Sequence, residues 1–294
     1  MPINFDALLG ITDAALLAML HEDIAFGDLT TSVLGIGDQP GRLSCHARQA
    51  MTACATEEAC RLFTLMGATA QCRVCSGSTV AAGTLLLTAT GSAAQLHLAW
   101  KTAQTLIEWA SGIASKANAI VTAAHPVAVA CTRKNTPGTK AMSAKAVRSG
   151  GARLHRLGLS ETLLIFREHR CFLNETPQET VNRLKAVEPE KKIVVEVDTI
   201  EEGLQWSRAG VDVLQLEKFP SKAVAECTQA LRRDGWRGLM AVGGGIDEHN
   251  AAEYVAAGAN LLITSAPYHA GLRDVQVDFK PGVLARKSNK GLAA

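Results

Sequence analysis

The chain has 294 residues, 47% of them hydrophobic, and a formal net charge of +2. This length and apolar share predict a globular protein of one large or two modest domains, and they exclude an intrinsically disordered chain. The balanced charge, without a basic stripe interleaved with aromatic residues, excludes a nucleic-acid partner, so any anion site must be local.

The N-terminal region lacks the features of a targeting segment. No Lys or Arg occurs before Arg42, whereas secretory and transit peptides need early basic residues. No apolar run reaches the ~18 residues that a transmembrane helix requires. We therefore expect a cytoplasmic protein without a membrane partner.

The eight cysteines do not form an obvious metal-binding pattern. Cys72 and Cys75 make a single C-x-x-C pair with no second pair and no nearby pair of histidines, so a zinc site is poorly supported. A redox dithiol is one interpretation of this pair. The other is that these are ordinary reduced cysteines of an N-terminal strand, and we favour it because a cytoplasmic chain seldom keeps disulfides.

The first third of the chain predicts a small α+β layer domain. Apolar residues at helical spacing predict a helix over 13–21 with Thr12 as its N-cap, followed by an acidic, glycine-broken loop over 22–31. Short β-like runs then surround one helix near 57–66, between residues 40 and 90.

A long helical segment over 92–124 is expected to bridge this domain to the next. The pair Ser111-Gly112 predicts a break within it, because glycine lowers helix stability. Lys101 lies in the first of the two helices that this break would create.

From residue 127 onward, short apolar runs alternate with segments of helical periodicity. This alternation predicts a parallel sheet covered by helices, and periodicity alone does not separate an open doubly wound sheet from a barrel. A final run over 275–279 is expected to return as a strand to the first domain. The six strands predicted before it are 127–132, 162–166, 193–197, 211–216, 239–242 and 261–264.

Charged and small residues gather where these strands end. Ligands of parallel α/β folds bind at the carboxyl ends of the strands, so we expect these side chains to face one site. Two cationic pairs, two carboxylates, a glycine run and a hydroxyl pair are involved: Arg133-Lys134, His155-Arg156, Glu196, Glu217, Gly243–Gly245 and Thr264-Ser265.

The glycine run Gly243–Gly245 is interpreted as a phosphate cradle. Glycines let backbone N–H groups approach an oxyanion, and the run is expected to lead directly into a helix with Asp247 near its N-cap. A tight strand-to-helix turn without a ligand is the alternative. The neighbouring hydroxyls of Thr264 and Ser265 favour phosphate.

The carboxylates and the second cationic pair each have two interpretations. Glu196 and Glu217 are suited to hold sugar hydroxyls or a divalent metal, or to form ion pairs with the first cationic pair. His155 and Arg156 are either ordinary surface residues or ligands of a carboxylate. We favour the ligand role because they lie in a glycine-punctuated loop at a strand entrance.

Several ordered motifs resemble those of the quinolinate phosphoribosyltransferase family, also called nicotinate-nucleotide pyrophosphorylase (carboxylating). The resemblance covers nearly the whole chain. The motifs are residues 132–138 (TRKNTPG), 145–151 (KAVRSGG) and 155–160 (HRLGLS), together with 22–30 and 111–114.

The resemblance implies a mixed α/β architecture. An α/β-sandwich domain over 1–111 and 275–294 would accompany an incomplete, about six-stranded α/β barrel over 112–274. It also implies a homodimer, possibly a higher oligomer, in which the partner's N-terminal domain completes each barrel mouth. Lys101 falls where the family usually has an arginine donated across the dimer.

The resemblance also assigns roles to the site residues. The ring carboxylates of a small aromatic acid would be bound by cations, the ribose or Mg²⁺ of phosphoribosyl pyrophosphate by carboxylates, and its 5′-phosphate by glycines and hydroxyls. Lys134, Glu196 and Glu217 are the implied catalytic residues. The cations are Arg133, Lys134, His155 and Arg156, and the carboxylates are Glu196 and Glu217. The glycines and hydroxyls are those of Gly243, Gly244, Gly245, Thr264 and Ser265.

The chain departs from the family pattern in the cleft. Phe166 replaces the family's lysine at the end of the second barrel strand, and Glu217-Lys218 replaces an aspartate-asparagine pair. These departures resemble a branch of the family associated with molybdenum-transport genes. Because a cation beside a carboxylate is worth ~1.5–3 kcal/mol, Phe166 predicts an acceptor with one carboxylate or a ring that stacks on it.

The leading hypothesis is therefore a Mg²⁺-dependent phosphoribosyltransferase. A non-catalytic protein that binds a nucleotide or oxyanion in molybdenum metabolism is the alternative. An aldolase-type barrel that uses Lys134 or Lys218 as a Schiff base is weaker, because the surrounding cations suit phosphate better.

Overall fold

The computed structural model describes residues 11–282, which form two compact units. The first unit runs to Gly112 and resumes at Leu272, and the second is Ile113–Gly271. The outermost parts of the predicted N-terminal domain, residues 1–10 and 283–294, lie outside the described residues.

Helices and strands alternate along most of the described chain. The helices are α1 (Asp13–Ile24), α2 (Leu29–Val33), α3 (Thr56–Leu65), α4 (Ala93–Ala124), α5 (Lys140–Ser149), α6 (Arg167–Arg170), α7 (Pro177–Val187), α8 (Ile200–Arg208), α9 (Ser221–Arg233) and α10 (Ala251–Ala256). The strands are β1 (Pro40–Ala47), β2 (Met51–Thr52), β3 (Thr69–Cys72), β4 (Thr79–Val80), β5 (Leu85–Ser92), β6 (Ala128–Cys131), β7 (Arg153–Leu154), β8 (Leu163–Ile165), β9 (Ile193–Val197), β10 (Val213–Glu217), β11 (Leu239–Gly243), β12 (Leu261–Thr264) and β13 (Val275–Pro281).

An antiparallel sheet with the order β13-β1-β5-β3 organises the first unit. The last strand, β13, pairs with β1 along its length, which confirms the predicted return of the chain. Helix α3 packs on β3 and β5 and buries Leu62 and Phe63. The Thr12 side chain accepts the Ala15 N–H at 3.3 Å, so the predicted N-cap of α1 is confirmed.

Helix α4 is continuous for 32 residues, so the predicted break near Ser111-Gly112 is wrong. The buried Ser111 hydroxyl accepts the Cys54 N–H at 2.9 Å within the first unit. A glycine in a helix costs about 1 kcal/mol relative to alanine. We attribute the continuity of α4 to tertiary packing of this kind, which outweighs that local cost.

Cys72 and Cys75 of the C-x-x-C motif form no disulfide, and both are exposed. The Cys72 thiol donates to the Val74 carbonyl at 3.0 Å, and it shares a hydrogen bond with Cys60 of α3. That hydrogen bond with Cys60 is the main cause that lowers the pKa of Cys72 to about 6. Within residues 11–282, no three His, Cys, Asp or Glu side chains are grouped to hold a metal.

A seven-stranded parallel sheet forms the second unit, in the order β7-β6-β12-β11-β10-β9-β8. Its two end strands, β7 and β8, do not pair with each other, so the sheet is an incomplete barrel, as the resemblance implied. The strand not predicted is β7, which has two residues and pairs with β6. A dipeptide with a single apolar residue has no apolar run to signal a strand.

An apolar layer fills the barrel interior below the carboxyl ends of the strands. It takes one side chain from each of five neighbouring strands: Leu164, Val194, Val213, Ala241 and Ile263, all buried. Phe166 packs against this layer. No helix in the described part of the chain is both long and apolar enough to cross a membrane.

Candidate active site

A cleft of about 560 Å³ opens above the apolar layer, at the carboxyl ends of the barrel strands. It brings together every predicted site residue of the second unit. These are Arg133, Lys134, His155, Arg156, Phe166, Glu196, Glu217, Gly243, Gly244, Gly245, Thr264 and Ser265. Arg133 and His155, one residue from each cationic pair, therefore face one cavity.

Lys101 is not among the residues that line this cleft. It lies on α4 in the first unit, exposed, with its Nζ 3.0 Å from Gln104 Oε1 and 4.1 Å from the ring centroid of Trp100. It lines a separate pocket of that unit with Asp28 and His97. Its implied role across a dimer stays a prediction.

Arg156 is the buried cation of the cleft, with 6% of its surface exposed. Its loop is held where β7 ends, because the His155 N–H donates to the Cys131 carbonyl of β6 at 2.9 Å. Burial and the nearby Arg133 lower the pKa of Arg156. Among residues 11–282, no side chain or carbonyl accepts a hydrogen bond from its guanidinium. The charge of Glu161 opposes this pKa shift, so Arg156 is a buried cation without a hydrogen-bonded anion in the described chain.

His155 lies beside Arg156 and shares its electrostatic environment. Burial and the Arg156 charge lower the pKa of His155, and Glu161 opposes this effect. The His155 imidazole is therefore neutral at pH 7 and can donate one hydrogen bond and accept another. A neutral His155 carries no charge, so Arg156 is the charged member of this pair that an anion would contact.

Phe166 forms an aromatic wall of the cleft. Strand β8 ends one residue before it, and the Phe166 N–H donates to His169 Nδ1 at 3.0 Å across the first turn of α6. The Phe166 and His169 rings stack with centroids 5.6 Å apart. The Arg156 Cζ lies 5.6 Å from the Phe166 centroid, within the range of a cation–π contact. At this point the cleft offers a ring face and one guanidinium.

The two carboxylates lie on neighbouring strands and make no ion pair with Arg133 or Lys134 among the described residues. The structure thus gives no support to the ion-pair interpretation. Burial raises the pKa of Glu196 to about 7, and the charge of Glu217 adds to this effect. A carboxylate pair of this kind favours a bound cation, because a divalent ion relieves both burial and like-charge repulsion.

Gln215 also lines the cleft, although sequence reasoning did not select it. Its Nε2 donates to Glu196 Oε2 at 2.8 Å. The available signal was one amide within the otherwise apolar strand Val213–Leu216, since a buried polar group needs a partner.

The glycine turn is shaped by contact with the adjacent strand end. Gly244 has φ +93°, and a Cβ there would lie 2.9 Å from the Lys218 backbone nitrogen. The Lys218 N–H in turn donates to the Gly243 carbonyl at 2.8 Å. Because α10 begins only at Ala251, with Asn250 as its N-cap, the prediction that the glycines lead directly into a helix is wrong.

The phosphate-binding potential of this turn therefore comes from its own backbone. The N–H groups of Gly244, Gly245 and Ile246 donate no hydrogen bond within residues 11–282. Successive unpaired N–H groups form an anion-binding nest without a helix dipole.

Thr264 and Ser265 are placed differently beside this turn. The Thr264 hydroxyl donates to the Ile246 carbonyl at 2.6 Å and accepts the Ala266 N–H at 3.0 Å. Its proton is thus committed to positioning the glycine turn. The half-buried Ser265 hydroxyl makes no hydrogen bond within the described chain, which leaves it available for a ligand.

Two family models match the chain: quinolinate phosphoribosyl transferase, C-terminal domain, over residues 113–278, and its N-terminal domain over residues 28–111. The "Putative pyrophosphorylase ModD" of Rhodobacter capsulatus is 49% identical over 247 residues, covering 82% of this chain and 95% of that protein. A protein of the same name from Escherichia coli O157:H7 is 38% identical over 277 residues, covering 92% and 98%.

A solved structure shares the fold. NadC from Streptococcus pyogenes superposes with a TM-score of 0.85 at 24% identity, covering 93% of this chain and 99% of that chain. The sequence matches span both units, and the chain therefore belongs to the quinolinate phosphoribosyl transferase family.

Proposed function

We propose that this chain is a phosphoribosyltransferase that moves ribose 5-phosphate from phosphoribosyl pyrophosphate to the ring nitrogen of an aromatic monocarboxylic acid. The observation that carries the proposal is the buried Arg156 guanidinium, which makes no hydrogen bond and no ion pair in the described chain and faces the same cleft as the glycine turn. A buried cation of this kind is stabilised when an anionic ligand forms an ion pair with it.

The acceptor would be held by its carboxylate and its ring face. Arg156 offers a planar fork of donors that matches a carboxylate, and Phe166 offers a surface on which an aromatic ring can stack. Together these contacts fix the orientation of the ring, so that its nitrogen is aimed into the cleft. Such positioning supplies a large part of the rate in a bimolecular transfer.

The donor would be held at the opposite side of the cleft. The free N–H groups of Gly244, Gly245 and Ile246, with the Ser265 hydroxyl, are suited to its 5′-phosphate. Glu196 and Glu217 fit Mg²⁺, which often binds one or two protein carboxylates together with substrate phosphates. Mg²⁺ bound there would neutralise charge on the diphosphate.

In the reaction, the ring nitrogen of the acceptor forms a bond to C1 of the ribose as the bond from C1 to the diphosphate oxygen breaks. Positive charge develops on the ribose, and pyrophosphate leaves with the bonding electrons. Arg133 and Lys134, both exposed at the mouth, would stabilise that leaving group. No side-chain nucleophile is needed. A quinolinate-like acceptor would afterwards lose its 2-carboxylate.

Phe166 makes quinolinate itself a poor acceptor. A second carboxylate would face a ring where the family has a cation, and losing a charge-assisted bond of ~1.5–3 kcal/mol corresponds to roughly 10- to 100-fold in affinity. We further propose a cytoplasmic homodimer in which the partner chain completes the site.

Pyrophosphate release tests the proposal. The protein is incubated with phosphoribosyl pyrophosphate, Mg²⁺ and a panel of pyridine and azole acids, and we expect release with monocarboxylates to exceed that with quinolinate. Phe166→Lys should shift the preference towards quinolinate by roughly tenfold or more, whereas Phe166→Leu should not.

The same assay separates the alternative of a binding protein without catalysis. Calorimetry measures the binding of phosphoribosyl pyrophosphate or an oxyanion. Tight binding without pyrophosphate release in the presence of any of the acids would favour that alternative and count against transfer.

A further inference from the structure

Gln215 lies on β10, at the boundary between the apolar layer and the cleft. It stands opposite Glu196 of β9 and Ala241 of β11 in the sheet register. Only 5% of its surface is exposed. Two residues earlier on the same strand, Val213 belongs to the apolar layer, so Gln215 is the first polar group above that layer on β10.

One half of the Gln215 amide is satisfied and the other half is not. Its Nε2 donates to Glu196 Oε2 at 2.8 Å. At pH 8, above the pKa of Glu196, the ionised carboxylate only accepts hydrogen bonds, which fixes the orientation of the amide. Its Oε1 is buried and accepts no hydrogen bond within residues 11–282. Buried amide oxygens without a donor are uncommon and destabilising, so this one requires a reason.

When Glu196 is ionised, no neighbouring side chain can supply the missing donor, which leaves the cleft as its source. The apolar layer around it consists of Leu164, Val194, Val213, Ala241 and Ile263, whose side chains carry no donor. Above, Gln215 lines the cleft with Glu196 and Phe166. An acceptor ring stacked on Phe166 would thus lie on the side from which a hydrogen can reach Gln215.

We propose that Gln215 is a specificity-determining residue that accepts a hydrogen bond from an N–H group of the acceptor. The acceptor is then an aromatic acid with a donor on its ring, either an amino substituent or a second ring nitrogen that carries hydrogen. This inference rests on the proposed phosphoribosyl transfer for the identity of the ligand. The carboxylate pairs with Arg156, the ring stacks on Phe166, and the N–H group meets Gln215 Oε1.

Calorimetric titration at pH 8 tests this with matched ligands. The probes are nicotinate, which has no donor, and its 2-amino and 6-amino derivatives. At least one amino derivative should bind roughly tenfold or more tightly than nicotinate, because it satisfies a buried acceptor. Gln215→Met, of similar size but without the oxygen, should reduce that difference to about twofold or less. Gln229→Met, on the exposed face of α9, is the control and should retain the difference.

A second titration excludes the ribose as the source of the donor. Ribose 5-phosphate without Mg²⁺ should bind the wild type and the Gln215→Met variant equally, and Mg²⁺ is left out because Gln215 hydrogen-bonds the proposed Mg²⁺ ligand Glu196. The inference is overturned if the amino derivatives bind no better than nicotinate or do not bind. It also fails if their advantage persists in the Gln215→Met variant, or if that variant loses ribose 5-phosphate instead.

These outcomes are independent of turnover. Pyrophosphate release without any preference for donor-bearing acids would leave the transferase proposal standing and remove the role of Gln215. Donor-selective binding without pyrophosphate release would support the role of Gln215 and count against the transferase proposal. Should the Gln215→Met variant not fold, the comparison of ligands on the wild type still decides.

Discussion

Arg156 combines two properties that a structural residue would not combine. It is buried, and it makes no hydrogen bond and no ion pair within the described chain, so only the more remote charge of Glu161 offsets its own. The cation–π contact with Phe166 offsets only part of the desolvation cost. Residues that bind ligands often carry such a cost, since a site optimised for stability would not retain an unpaired cation.

This leads to a prediction with opposite signs for stability and function. Arg156→Met should raise the free energy of unfolding of the unliganded protein by about 1 kcal/mol, because it removes a buried charge that Glu161 offsets only in part and without a hydrogen bond. It should also weaken binding of aromatic monocarboxylates by roughly 10- to 100-fold. Urea denaturation and calorimetry measure the two quantities. A variant that loses both stability and binding would indicate a structural role instead.

Glu196 should make the stability of the unliganded protein depend on pH. Its folded pKa of about 7 lies above the ordinary value of 4.5, so the folded state is penalised as the pH rises from 4.5 through 7, and the penalty is complete above 7. Glu196→Gln should therefore stabilise the protein at pH 8 by roughly 1–2 kcal/mol, after solvent screening is allowed for, and much less at pH 5.

Denaturation without divalent cations, at both pH values, measures this effect. The exposed Glu190→Gln is the matched control and should show no such difference between the two pH values. An equal gain for Glu196→Gln at pH 5 and pH 8 would contradict the account of Glu196.

At the scale of elements, the apolar barrel strands could be predicted because each is a continuous buried run. Strand β7 could not, since Arg153–Leu154 has no such run and is defined by pairing with β6. The continuity of α4 through Gly112 was missed for a related reason, because packing around Ser111 overrides local propensity. The predicted cationic pairs and carboxylates were found together because strand ends in a parallel sheet meet at one edge.

The glycine turn shows what sequence alone could not supply. Three glycines predict that another group packs closely against the backbone of the turn, but they do not identify that group as Lys218. They also do not predict that α10 starts six residues after Gly245. The role of Thr264 as a positioning residue likewise depends on a hydrogen bond to Ile246 between two loops.

Two substitutions in this turn should separate steric conflict from backbone strain. Gly244→Ala would place a Cβ 2.5 Å from Lys218 Cγ at φ +93°, whereas Gly245→Ala, at φ +75°, meets nothing within 4 Å. Both alter a left-handed residue, so Gly245→Ala should cost about 1 kcal/mol and Gly244→Ala about 2–3 kcal/mol more than that. Thermal unfolding measures the difference, and equal losses would contradict the packing described here.

At the scale of the whole molecule, alternating strands and helices left a doubly wound sheet and a barrel equally possible. The choice depends on strand order, which follows from long-range pairing and has no local signal. Family resemblance made the choice, and the order β7-β6-β12-β11-β10-β9-β8 agrees with it.

The proposed dimer makes a quantitative prediction from Lys101. If Lys101 acts in the partner's site, Lys101→Ala and Arg156→Ala should each be nearly inactive alone. Mixing them under conditions of subunit exchange should restore about a quarter of wild-type activity, because half of the dimers are mixed and each has one intact site. Pyrophosphate release measures this, with each variant mixed with itself as the control. Failure of the mixture to regain activity would remove Lys101 from the site.

The central claim is that the cleft of the second unit is built for a phosphorylated ribose and its leaving diphosphate. A crystal structure of the protein soaked with phosphoribosyl pyrophosphate and Mg²⁺ tests it most directly. We predict that the 5′-phosphate lies against the N–H groups of Gly244, Gly245 and Ile246, with the diphosphate facing Arg133 and Lys134. Phosphoribosyl pyrophosphate bound outside this cleft, or phosphates that avoid the glycine turn, would contradict the account.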